Sequence, residues 1–128
     1  KLDNNWHKYT FDYSVEFNKG RFFIDGELMA EYDFGDLKYD ISRQNFCMYF
    51  GNNKNFDNPR YISENSAIDN IAIYNRTLSY DEVKSVNIKT INGLLCFWTF
   101  SKVDGHVCYD EVNKYPVFIW DEFEVKEK

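Results

Sequence analysis

At 128 residues the chain has room for one domain with a single core of ordinary size, which excludes two complete sandwiches. A formal net charge of −6, a pI near 4.9 and the lack of any basic run remove the attraction that drives most nucleic-acid binding, so nucleic acid is excluded as a partner. No apolar run reaches the ~18 residues of a spanning helix, so no membrane insertion is expected, and an aromatic share of 20% favours a pleated sheet over a helix bundle.

Residues Lys8 to Phe17 alternate strictly, with Tyr9, Phe11, Tyr13, Val15 and Phe17 on one side and polar residues on the other. That pattern predicts a half-buried antiparallel strand whose aromatic side faces the core. Asn18-Lys19-Gly20 forms a turn cluster, Arg21 to Ile24 resumes a strand, and Asp25-Gly26 supplies residues that tolerate positive φ in a tight hairpin. Glu27 to Tyr32 runs back, which completes a β-meander.

Asn45 to Phe50 is a short apolar run that suits a strand covered on both sides, and Gly51 to Pro59 is the longest loop signal in the chain. A further strand is predicted over Ala67 to Tyr74. Beyond it Ser79 and Glu82 form a capping box that opens one short helix, about Tyr80 to Asn87, with Val83 and Val86 on its buried side. After the Asn92-Gly93 turn come a strand over Leu94 to Phe100, a turn over Val103 to His106, and a weakly alternating strand over Pro116 to Val125. Some seven short strands, one helix and turn signals at close intervals predict an all-β fold, an antiparallel β-sandwich.

Three stretches resemble the second half of a laminin-G-like or pentraxin-like jelly roll, within the concanavalin A-like lectin and glucanase folds. They are Trp6 to Tyr13, Arg21 to Leu28, and Ile68 to Val83, which together span residues 5–88. Residues 93–113, with Leu94 to Phe100 followed by Tyr109-Asp110-Glu111, resemble the start of such a domain. The expectation is therefore one such sandwich over residues 1–128, or a fragment of one from a larger polypeptide. Either residues 93–125 complete the sheet or the chain straddles two consecutive modules. Ser66 departs from the glycine that the family carries two residues before its Ile-Asp pair.

A nucleophile elbow, a phosphate-binding loop, a dinucleotide fingerprint and a zinc-protease helix are all missing, and the two histidines are His7 and His106. The paired-carboxylate strand of sandwich-fold glycosidases is missing too, and Glu122 and Glu124 sit in an acidic tail. No enzyme activity is expected. Phe56 and Tyr61, set among Asn52, Asn53 and other amides, make a loop able to stack on sugar rings and bond their hydroxyls. Asp69 could join Asp57 and the oxygens of Asn52, Asn53 or Asn58 around a calcium ion, or simply brace its own loop. Trp6 reads as a packing residue and His7 as a surface one. Cys47, Cys96 and Cys108 read as small buried hydrophobes, with a Cys96–Cys108 bridge as the alternative.

The resemblance implies a non-catalytic recognition or adhesion module, extracellular or at the cell surface, that binds a glycan or a protein through loops at the sandwich edge. The alternative is a structural domain that packs against other segments of its own polypeptide or against a second chain.

Overall fold

The computed structural model describes residues 3–36, 50 and 66–119. The described residues form strands in antiparallel ladders with one short α-helix, the all-β class expected. It divides into two compact units, Lys1–Tyr39 with Tyr74–Leu95, and Asp40–Ile73 with Cys96–Lys128.

In the first unit, β1 (Tyr9–Ser14), β2 (Lys19–Ile24) and β3 (Glu27–Asp33) form the predicted meander in the order β1-β2-β3. Asp25 and Gly26, at φ 53° and 84°, close the β2–β3 hairpin between the paired Ile24 and Glu27, as the Asp-Gly signal requires. A side chain at Gly26 would have nowhere to go, because a Cβ there would lie 2.7 Å from Lys84 Cγ and 3.0 Å from its Cα. On β3 the register slips, so that Phe22 faces Ala30 while Phe23 faces Leu28, and Met29 is the extra residue of a β-bulge.

The helix α1 (Tyr80–Lys84) starts with the predicted capping box: Ser79 accepts from the Glu82 backbone N–H, and the Glu82 carboxylate accepts from the Ser79 N–H. Arg76 adds two bonds to that carboxylate at 2.9 and 2.7 Å, and together these donors hold its pKa down at about 2. Val83 is buried as expected, but Val86 is 95% exposed. The helix ends at Lys84 and Ser85 is extended, so Val86 lies outside the periodicity that would have turned it inward. Phe23, Leu78, Val83 and Ile91 form the core here, with Tyr74 packed against them. Burial of Phe23 or Val83 contributes roughly 1.5–3 kcal/mol each.

β4 (Ile71–Tyr74) and β5 (Leu94–Trp98) pair in a two-stranded ladder. Both are shorter than predicted, because Asn70 and Phe100 take positive φ, 55° in each case, and bend the chain where the sequence suggested a continuous strand. In the second unit β6 (Val103–Asp104), β7 (Val107–Tyr109) and β8 (Pro116–Phe118) form a small antiparallel sheet. The turn between β6 and β7 is thus only Gly105-His106. Cys96, Trp98 and Cys108 are its buried centre, packed by Ile71, Ile73 and Val117 among others. Cys96 and Cys108 are free thiols, the small-hydrophobe reading, and burial pushes both thiol pKa values up. Cys47 lies outside the described residues.

The connection from β7 to β8 is organised by one fully buried carboxylate. Asp110 accepts from the backbone N–H groups of Val112, Asn113 and Tyr115 at 2.5–2.9 Å and from Phe97 at 3.4 Å. Burial alone would raise its pKa, but the donations from Asn113, Tyr115, Val112 and Phe97 together outweigh that and hold it low.

Candidate functional site

The register of the meander sorts its side chains onto two faces. Thr10, Asp12, Phe23, Arg21 and Leu28 share the face that carries the buried Phe23. Asp12 and Arg21 are directly opposed across β1 and β2, and Arg21 forks onto both Asp12 oxygens while donating to the Leu78 carbonyl at 2.8 Å. Its guanidinium also lies over the rings of Phe23 and Tyr80, 5.2 and 5.4 Å from their centroids. An arginine thereby ties the sheet to the segment that leads into α1.

The other face presents Tyr9, Phe11, Tyr13 and Tyr32, joined by Phe34, whose ring lies against Tyr13 at 5.5 Å and over the bare Gly20. These five rings remain exposed, from 38% at Tyr13 to 65% at Phe11. Tyr9 stacks on Phe22 at 6.2 Å, which makes the surface a continuous shelf. The predicted alternation is therefore present, but its orientation is reversed: the aromatic side of β1 faces solvent, and the Thr10–Asp12 side faces inward. Val15 and Phe17, expected on the core side, fall beyond the end of β1 and are exposed. Trp6, read as a packing residue, is exposed as well.

At one corner of the shelf His7 stands edge-on to Tyr9. Its Nδ1 lies 2.6 Å from Asp25 and its Nε2 2.9 Å from Asp3. Two carboxylates on two ring nitrogens require both nitrogens to donate, so the imidazolium form is favoured. The bond to Asp25, then that to Asp3, raises the His7 pKa above 6.5, and the same bonds lower those of both aspartates. Asp25 also accepts from the Lys8 backbone N–H at 2.8 Å, so this network pins the start of β1 to the hairpin turn. His7 is a surface residue, as expected, but one whose two ring nitrogens are both bound. Sequence reasoning missed this network and the Arg21 clamp. A His and an Asp 18 residues apart, flanking one meander, were the available signal.

Of the residues expected to bind a ligand, Asn52, Asn53, Phe56 and Tyr61 lie outside the described residues, as do Asp57 and Asn58 of the expected calcium set. Asp69 is half-buried, and its two oxygens accept from the Asn70 backbone N–H at 2.9 Å and side-chain amide at 3.0 Å. That arrangement braces the bend at Asn70. Among the described residues no three His, Cys, Asp or Glu side chains come together in a metal-binding group.

The antiparallel ladders and the capped helix among the described residues fit a concanavalin-like β-sandwich domain. Residues 2–84 match the model of the Concanavalin A-like lectin/glucanases superfamily in its laminin-G branch, and the chain belongs to that family. The match covers nearly the stretch that the sequence motifs marked, and residues 93–113 fall outside it. Neither a curated protein nor a solved structure matches the chain.

Proposed function

We propose that the chain is a non-catalytic recognition module that makes its contact through the aromatic face of the β1-β2-β3 sheet and takes a protein surface as its partner. The observation that carries this reading is that face: five rings left in water on a sheet whose opposite side carries the buried Phe23. The largest apolar patch on a typical monomer covers ~300–600 Å² and is often functional. Family membership supports the absence of catalysis, since laminin-G-like domains are generally non-catalytic, and an extracellular setting, which is typical of them. No described helix is long and apolar enough to cross a membrane. The lectin branch of the family supports the alternative of glycan binding through the Asn52, Asn53, Phe56 and Tyr61 loop.

Two variants separate these readings. Phe11→Ser should abolish docking in the native assembly, read as renewed hydroxyl-radical labelling of Tyr9 and Tyr32, while glycan-array signals stay unchanged. A chain that retains a specific glycan signal, loses it on Tyr61→Ala and shows equal labelling of Tyr9 in isolation and in the assembly would overturn the protein-docking reading.

A further inference from the structure

We infer that the partner seated on the aromatic face is a second copy of this chain, joined sheet to sheet across a two-fold axis. The inference rests on the docking role proposed above.

The argument begins with area. A large ring has ~200 Å² to bury, so five rings about half exposed offer ~500 Å², and half-buried Phe22, Ile24 and Ala30 bring one face to roughly 600 Å². Two identical faces would bury about 1,200 Å², the lower end of what stable, specific interfaces use. A single small ligand could cover only a fraction of that.

Chemistry then selects the occupant. The central positions of the face, Tyr9, Phe11, Tyr13, Phe22 and Tyr32, carry no charge, and its charges, Glu27 opposite Ile24 and the His7–Asp25–Asp3 network, stand at the rim and carry both signs. A two-fold contact centred on Phe11 and Phe22 leaves the acidic Glu27 at its edge, so the centre of the face does not repel its own image, which is the requirement for an isologous contact. Stacked sheets stand ~10 Å apart with strands inclined by ~30°, and rings on twisted meanders can interleave at that spacing. The copies repel through their overall charge of −6 each and through Glu27 at the rim, and salt screens both. Added salt should therefore tighten this association, whereas docking onto a basic partner would weaken.

The experiment is sedimentation of the full 128-residue chain from about 5 to 500 µM, at low and moderate salt, beside Phe11→Lys and the off-face control Val86→Lys. Circular dichroism verifies the fold of each variant, and labelling of Tyr9, Tyr13 and Tyr32 is followed across the concentration range. We expect a dimer of twice the 15.4 kDa chain mass, tighter at higher salt, at least 10-fold weaker in Phe11→Lys and unaltered in Val86→Lys, with the three tyrosines protected as the dimer forms. A monomer throughout whose tyrosines label freely overturns self-association and leaves the docking role standing. A monomer whose tyrosines are protected at every concentration overturns both, because the face is then covered within the chain. A dimer that Phe11→Lys leaves intact overturns the inference by placing the contact elsewhere.

Discussion

Asp110 has no exposed surface, yet the folded chain keeps it ionised because four backbone N–H groups point at its two oxygens. Removal of the carboxylate orphans donors that water cannot reach. Asp110→Ala should cost about 2–4 kcal/mol in urea unfolding, and Asp110→Asn, which keeps one acceptor, about half of that. Because its folded pKa is lowered, this stabilisation is present above the unfolded value near 3.8 and is lost as pH falls through the lower folded one. The His7 network has two opposing limits. His7 is raised, so its share is complete below 6.5 and disappears as pH climbs through the folded value. Asp3 and Asp25 are lowered, so theirs is complete above 3.8 and disappears in acid. The network should stabilise most between about pH 4 and 6.5, and a plot of melting temperature against pH should lose its high-pH fall in His7→Gln. An NMR titration that puts His7 at or below 6.5 would contradict the paired geometry.

At the level of elements, the meander, its Asp-Gly turn and the capped helix were legible because each depends on local chemistry: alternation, positive φ, a hydroxyl and a carboxylate three residues apart. The orientation of the sheet was not. A period of two states which side chains share a face, but which face meets the core depends on where Leu78, Val83 and Ile91 pack, tens of residues away in the sequence. One clue was present in Asp12 and Arg21: a bidentate pair that also reaches a backbone carbonyl is a way to satisfy an inward polar side. The candidate site was legible only as a set of rings on one strand, and it was assigned to the core. The strand ends were lost to Asn70 and Phe100, whose positive φ no composition rule anticipates. Local contacts at the β2–β3 turn predict that Gly26→Ala destabilises by about 1–3 kcal/mol, since both φ and the Lys84 backbone oppose it. Lys84→Ala in the same chain should restore only part of this, as the Cα remains. Ser79→Ala should cost about 1 kcal/mol through loss of the helix cap.

On the scale of the whole molecule, the described residues bury two small clusters, one around Phe23 and Val83 and the other around Trp98 and Cys108. Neither shares a residue with the other, so a cavity in one should be felt within it first. Val83→Ala should cost roughly 1–2.5 kcal/mol and speed amide exchange at Phe22 and Phe23. Exchange at Cys108 and Val117 should change far less, and equal acceleration at both pairs would show that the clusters open as one.

A different consequence follows from the outer strand of the meander. Among the described residues β3 is an edge strand that carries Glu27, Glu31 and Asp33 and is bent by the bulge at Met29, so its outer edge is both acidic and irregular. Strand-by-strand addition there would start an open-ended fibre, and charge and curvature both oppose it. Contact through the flat of the sheet, by contrast, is used up once one partner is seated. A surface this rich in rings can therefore be sticky in a direction that terminates, while the direction that would polymerise stays guarded.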